Sequence, residues 1–357
     1  MKKLNVAIIG QGRSGKNIHG TYFNSERNEY YKVKYIVDKD EFRRTKAERL
    51  FPNCETFATY QELFDKKDID LVLNASYSEM HYPITKDLLA HGFNVLVEKP
   101  FARNQYECED LIKTAKENNV LLAVFQQSFF APYFEHINEL LKNGVFGDVK
   151  QISLHFNGFA RRWDWQTLQK KMAGSVYNTG PHPIGFACAF LGWDKNMQVV
   201  YSKLDSTDLS SGDSDDFAKI IMVAPNKPLI DVEINSTDAY SNYSVKIQGS
   251  KGTFKCTALA YEYKYIVDGE NPERPVIEES LKNEEGEPIY CSEKLVMHEE
   301  KGEYNGTAFD IGTAGLYKDV YYALTEGRKL TITPEMVTQI VSVMETVHAQ
   351  NPMPLKY

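Results

Sequence analysis

The chain has 357 residues, 42% hydrophobic and 25% charged, with a formal net charge of −8. That length accommodates two domains, each with its own core, in an ordinary soluble globular protein. The acidic balance argues against a nucleic-acid or anionic-membrane partner, and no window approaches the roughly 18 apolar residues of a membrane span. Cys54, Cys108, Cys188, Cys256 and Cys291 are scattered without a C-x-x-C pair, which fits reduced thiols in a cytoplasm. Neither a disulfide framework nor a metal site is expected.

After Met1-Lys2-Lys3, the apolar run Leu4 to Ile9 is too short for a secretory leader and reads as a first strand. It runs into Gly10-Gln11-Gly12-Arg13-Ser14-Gly15. A GxGxxG alone is a weak signal. Here a strand precedes it, a helix-compatible segment follows, and a second strand, Tyr31 to Val37, ends in Asp38. Gly10 allows the tight turn, Gly12 lets the backbone approach a pyrophosphate, and Gly15 lets helix and strand pack closely. Arg13 and Ser14 stand where the helix begins and offers its free N–H groups to phosphates. Asp38 lies about 23 residues beyond Gly15, near the spacing of an acid that binds the adenosine ribose hydroxyls. Its charge would repel a 2′-phosphate, so NAD is expected rather than NADP, although Lys39, Arg43 and Arg44 stand nearby.

Ile69 to Ser76 is the next buried strand, followed by the loop Tyr77 to His81 and a helix from about Pro83 to Ala90, stopped by His91-Gly92. Val95 to Val97 then form a strand that ends in Glu98-Lys99-Pro100. Ligands of open α/β sheets lie beyond the carboxyl ends of the strands, so this lysine stands on a firm platform beside whatever the sheet binds. The bland alternative is a solvated loop lysine. A charged helix from Asn104 to Asn118 and a strand from Val120 to Phe125 complete the alternation. This predicts a doubly wound parallel sheet, with residues 1–127 as a dinucleotide-binding Rossmann domain.

Residues 128–357 read as an α+β domain. An amphipathic stretch, Tyr133 to Lys142, precedes alternating runs at Lys150–Phe159, Gln198–Leu204, Phe217–Val223, Leu229–Ser236, Tyr243–Gln248 and Thr253–Thr257. These predict a large, mostly antiparallel open sheet, one face packed and one available. Within Arg161-Arg162-Trp163-Asp164-Trp165-Gln166, rings beside charged groups suit a polyhydroxylated substrate. Packing between the lobes by Trp163 and Trp165 is the equal alternative. Gly269 to Gly306 reads as a solvated excursion, and Pro334 to Ala349 as a closing helix.

Taken together, GxGxxG, Asp38, Asn74-Ala75-Ser76 with His81, and Glu98-Lys99-Pro100 resemble the glucose–fructose oxidoreductase and inositol dehydrogenase (Gfo/Idh/MocA) family. Gly174-Ser175-Val176-Tyr177-Asn178-Thr179-Gly180-Pro181-His182 is similar to the family's second signature, and Ile247 to Thr253 to a strand and turn of its carboxy-terminal sheet. The resemblance implies NAD(P)-dependent hydride transfer at a secondary alcohol carbon of a sugar, polyol or glycoside. It also implies that Lys99 and His182 are the acid–base residues, with Ala75, Ser76, His81 and Glu98 near the cofactor. Relatives build dimers and tetramers on the open sheet face, so a homodimer or homotetramer is expected. Asn178 departs from the usual aspartate, Ser76-Tyr77 from the usual Thr-Pro, and Ser128-Phe129 from a frequent arginine. Two other readings remain: a redox-elimination, glycosidase-like enzyme, and a non-catalytic NAD-sensing protein, which retention of Lys99 and His182 counts against.

Oxidising CHOH requires a hydride acceptor and a base near the hydroxyl. A lysine serves only if burial lowers its pKa from about 10 towards 7 or 8. Asn178 can hydrogen-bond a substrate hydroxyl but cannot stabilise an imidazolium, so His182 is expected to be less basic than with an aspartate there. Lys99 is therefore the expected general base, with Trp163, Trp165, Asn178 and His182 around the substrate.

Overall fold

Six short apolar runs pair into a wholly parallel sheet: β1 (Leu4–Ile9), β2 (Tyr31–Val37), β3 (Glu55–Phe57), β4 (Leu71–Asn74), β5 (Val95–Val97) and β6 (Leu122–Val124). A computed structural model describes residues 3–357; Met1 and Lys2, which flank the leader-like run, lie outside the described residues. The strand order is β3-β2-β1-β4-β5-β6. The chain therefore leaves β1 in one direction and returns on its other side at β4, which opens a crevice beyond their carboxyl ends. Leu71, Val72, Leu73 and all of β5 are fully buried, as strands covered on both faces must be.

The helices around this sheet are α1 (Gly20–Phe23), continuing a wider helical turn over Arg13–His19, then α2 (Glu41–Leu50), α3 (His81–Ala90) and α4 (Gln105–Glu117). Local chemistry sets their starts. Asp40 caps α2 through the Phe42 N–H, and Asn104 caps α4 through the Glu107 N–H at 2.9 Å. Next come α5 (Pro132–Lys142), α6 (Ser175–Asn178), α7 (Pro181–Phe190), α8 (Thr313–Glu326) and α9 (Pro334–Gln350).

The second sheet has eight strands: β7 (Val149–His155), β8 (Gln198–Asp205), β9 (Phe217–Val223), β10 (Leu229–Asn235), β11 (Val245–Gly249), β12 (Gly252–Cys256), β13 (Ala260–Tyr265) and β14 (His298–Glu303). Its order is β14-β13-β12-β11-β7-β10-β9-β8, antiparallel throughout except where β7 meets β10. Alternation decides which face is buried. Ile152, Leu154, Ile220, Met222, Val232, Ile247 and Phe254 share a core with Ile137, Phe186 and Ile340 of α5, α7 and α9. No helix among the described residues is long and apolar enough to cross a membrane.

Two parts of this half differ from the sequence expectation. The excursion from Gly269 to residue 297 is exposed apart from the half-buried Asn271 and Leu281, but His298–Glu303 then pairs with β13 as an edge strand. Its charged residues are held by cross-strand partners: Tyr263 Oη donates to Glu300 at 2.6 Å, and Lys264 pairs with Glu299 at 3.2 Å. At the opposite rim, Gln350 at the end of α9 donates to the Val199 carbonyl at 3.3 Å.

The other difference is α8, which returns from the second half to the first sheet. Its Leu316, Tyr317, Val320 and Tyr321 join Val6, Ile8, Tyr22, Tyr31 and Ile36 in one core. Tyr317 stacks on Tyr22 at 4.5 Å between centroids and meets Phe23 and Tyr31 edge-on, while Tyr31 Oη donates to the Tyr317 carbonyl at 2.8 Å. Truncation of this side chain should leave a cavity in the core that ties α8 to the first sheet. Tyr317→Ala is expected to lose about 3–5 kcal/mol of stability, read as a lower urea midpoint; an unchanged midpoint would show that α8 does not contribute to the cooperative fold.

Candidate active site

The glycine loop after β1 is shaped by sterics. Gly10 has φ +93°, and a Cβ there would lie 2.4 Å from the Ala75 carbonyl oxygen; one on Gly15 would lie 1.9 Å from the Gly10 oxygen. A Cβ on Gly12 would meet nothing within 4 Å. The outer glycines are thus demanded by packing, and the middle one faces open space. Arg13 is exposed and Ser14 half-buried at the start of the following helix. Asp38 closes the loop from β2: one carboxylate oxygen accepts the Gln11 N–H at 2.7 Å, the other the Asp40 N–H at 2.9 Å. Arg43 approaches the same carboxylate at 3.6 Å. Ser76, beyond β4, donates to Asn74 Oδ1 at 2.7 Å. Gln126 and Gln127, just after β6, are buried with side-chain amide atoms that have no protein partner. A backbone cradle with an open middle position, an acid at the end of β2 and unpaired amides at the sheet's carboxyl edge fit a dinucleotide.

At the end of β5 the chain turns through Glu98, Lys99 and a cis peptide bond to Pro100. His81 is buried behind this turn, with Nδ1 2.7 Å from the Pro100 oxygen and Nε2 3.3 Å from the Ser76 oxygen. Glu98 is also buried: one oxygen lies 2.9 Å from His19 Nε2 and the other accepts the Lys99 N–H at 3.0 Å. Burial alone would raise the Glu98 carboxyl, but the His19 hydrogen bond and the charges of His19 and Lys99 hold it down at about 2. These two side chains therefore brace the turn from behind. Lys99 Nζ crosses to the second half and donates to the Asn178 carbonyl at 2.6 Å. Burial lowers its pKa; the Glu98 charge opposes this, and the charges of Arg13 and Arg162 add to it.

The opposing wall is α6 and the start of α7. α6 ends at Asn178, the helix is interrupted at Thr179–Gly180, and His182 lies in the first turn of α7. Asp215 fixes the start of α6, its side chain accepting the Val176 N–H and its carbonyl the Ser175 N–H, both at 2.8 Å. His182 does not face Asn178. Its Nδ1 lies 3.0 Å from Ser128 Oγ, and burial, followed by the Lys99 charge, pushes its pKa down to about 3. The imidazole is neutral at any ordinary pH.

Asn178 instead pairs its side chain with Gln166, donating to the Gln166 carbonyl at 3.0 Å. Gln166 in turn bonds Arg162, which pairs with Asp164 at 3.1 Å. Trp163 is 78% exposed, whereas Trp165 meets Tyr77 edge-on at 5.0 Å. Beside that contact Lys171 pairs with Glu79, a second link between the halves. Lys99, Asn178 and His182 thus come together, with Trp165 at the rim and Trp163 in solvent. Sequence reasoning missed Gln166 and Asp215 as site-builders. Asp215 carried no signal, being an ordinary acid in a Ser/Asp-rich turn; Gln166 lay inside the Arg/Trp segment but was masked by its rings.

The cradle yields a direct test. Gly12→Ala has room for its methyl group and a φ of −74° that alanine tolerates, so the thermal midpoint should not move. Its methyl would occupy the face that a pyrophosphate approaches, so NAD affinity by calorimetry should fall by about tenfold or more. Unchanged affinity would remove this loop from dinucleotide binding.

Comparison with known proteins agrees with this geometry. Residues 4–126 match the family described as "Oxidoreductase family, NAD-binding Rossmann fold" (GFO_IDH_MocA), and residues 138–350 match its C-terminal alpha/beta domain. The uncharacterized oxidoreductase YdgJ of Escherichia coli is 25% identical over 353 residues, 96% of this chain and 94% of that one. The 2,7-anhydro-N-acetylneuraminate hydratase of Mediterraneibacter gnavus is 24% identical over 296 residues, 81% of this chain and 77% of its own. The Y186F mutant of KijD10, a 3-ketoreductase from Actinomadura kijaniata solved with TDP-benzene and NADP, superposes with a TM-score of 0.79 at 17% identity, covering 98% of both chains. That last likeness establishes the fold.

Proposed function

This chain belongs to the Gfo/Idh/MocA oxidoreductase family, and we propose that it is an NAD-dependent dehydrogenase acting on a secondary alcohol carbon of a sugar, polyol or glycoside. Residues 1–127 hold the dinucleotide and residues 128–357 the substrate and the oligomer contacts of a homodimer or homotetramer. The five free thiols support a reducing cytoplasm as its setting. The observation that carries the reading is the Lys99 amine, delivered by β5 beside the glycine cradle, bonded to Asn178 across the lobes and depressed in pKa by burial.

NAD, when bound, supplies the hydride acceptor or donor. All other tasks fall to side chains. Lys99 Nζ removes the hydroxyl proton during oxidation and returns it during reduction. The Asn178 carbonyl holds one Lys99 N–H, which orients the amine. His182 is neutral, so it serves as a hydrogen-bonding group whose ring is oriented by Ser128. Asn178 and Gln166 shape the wall, and the ring of Trp165 at the rim offers a face to a sugar ring, whereas Trp163 stands in solvent and takes no part. Asp38 disfavours a 2′-phosphate by charge, with Arg43 as its local counter-charge.

A second reading has a specific support. One relative is named as a hydratase rather than a dehydrogenase, which supports net redox-neutral chemistry as the alternative. In that case NAD would be used transiently, with elimination at a neighbouring bond, and tightly held cofactor would replace stoichiometric NADH. A panel of sugars, polyols and glycosides, followed by NADH absorbance and by product analysis with and without added NAD, separates the two. Absence of any redox-dependent turnover across the panel would favour the sensing reading.

Lys99→Ala should abolish turnover on any active substrate while NAD binding survives; unchanged turnover would remove the amine from the chemistry. The pH profile follows from the same group. A base must be unprotonated, and the Lys99 pKa is lowered, so oxidation should rise with pH through a midpoint below that of an ordinary lysine. His182, at about 3, should contribute no limb between pH 5 and 9; a limb near 6.5 that vanished in His182→Asn would contradict this assignment. Asp38→Ala should shift the NAD to NADP preference by about tenfold or more towards NADP, and an unmoved ratio would end the argument for NAD.

A further inference from the structure

We propose that His19 is a positioning residue for Lys99: anchored by Tyr317, it fixes Glu98 as the permanent counter-charge behind the strand-end amine. His19 is completely buried at the end of the glycine-loop helix, and Glu98 and Tyr317 are buried with it. His19 Nε2 lies 2.9 Å from Glu98 Oε1, and Nδ1 lies 2.8 Å from Tyr317 Oη. A carboxylate only accepts, so the Nε2 proton faces Glu98, and the Tyr317 hydroxyl holds the opposite ring nitrogen. Glu98 Oε2 is engaged by the Lys99 N–H. Both carboxylate oxygens are therefore fixed, one by the cradle helix and one by the lysine turn. The hydroxyl that orients the imidazole comes from α8.

The groups facing this pair set the sign of the effect. Glu98 is faced by His19, Lys99 and His81, with Tyr317 one step beyond. Lys99 is faced by Glu98, by Arg13 of the glycine loop, by Arg162 of the second half and by His182. Without His19, the buried Glu98 carboxyl keeps the Lys99 N–H at Oε2 but loses its partner at Oε1, and it takes up a proton more readily. Lys99 then keeps only cationic and neutral neighbours and releases its proton at lower pH. The inference builds on Lys99 as the proton-handling group, but its readout needs no substrate.

Lysines of the full chain, reductively methylated with ¹³C, are titrated by NMR, with the Lys99 signal assigned by its loss in Lys99→Arg. In His19→Phe the Lys99 midpoint should fall by about one pH unit or more. Glu98→Gln should produce the same fall, and His19→Gln, which still donates an N–H, should recover part of it. A purely structural role gives the opposite sign, because a loosened turn admits water and returns the midpoint towards that of an ordinary lysine. An unmoved or raised midpoint overturns the proposal. Should His19→Phe not fold, Glu98→Gln and Tyr317→Phe, which keep the local packing volume, are read in the same way. Full turnover by Lys99→Ala would defeat the proposed function and leave this titration result untouched.

Discussion

An amine held partly out of water at the carboxyl end of a parallel strand imposes the main constraint on this molecule. Desolvation favours its neutral form, and every element around the turn either sustains that desolvation or sets the charge beside it. β5 supplies rigidity, being hydrogen-bonded on both sides by β4 and β6. The second half supplies the lid atom, the Asn178 carbonyl, and that carbonyl is only as fixed as α6. Asp215 on the strand-linking turn clamps the start of α6, and the Trp165–Tyr77 and Lys171–Glu79 contacts hold the two walls in register.

The charges near Lys99 are not symmetric. Arg13 and Arg162 push the amine towards its neutral form, Glu98 pulls it back, and His182 contributes no charge of its own. Two titratable groups at one site are thus both depressed by burial, and each raises the cost of a proton on the other. Replacement of an acid by Asn178 in the second signature is compatible with this arrangement, since the imidazole takes its orientation from a serine hydroxyl rather than a carboxylate.

The first sheet was legible in the sequence because its signals are local. A strand, a glycine loop and a helix occupy consecutive residues, and the glycines at 10 and 15 are enforced by backbone atoms only a few ångströms away. The parts that escaped are those whose partners are distant. Tyr31 and Tyr317 are 286 residues apart, so the face of α8 that packs on the first sheet could not be read from its own tyrosine-rich pattern. β14 consists largely of charged residues and glycine, and its pairing with β13, where Tyr263, Lys264 and Tyr265 meet its side chains, makes it a strand. At the site, Lys99 meets a main-chain oxygen, which has no residue-type signature, and His182 meets Ser128, 54 positions away and noticed only as a missing arginine.

The rims of the large sheet have a consequence for self-association. On one side the terminal ladder runs along a row that includes Glu299, Glu300, Lys301 and Glu303, where a second chain adding a strand would bring like charges into apposition. On the other, the tail of the closing helix occupies one carbonyl of the edge strand, that of Val199, through Gln350. Extension of the ladder by added strands is therefore discouraged at both rims, which leaves the exposed sheet face, with its side chains, as the part of this half open to contact.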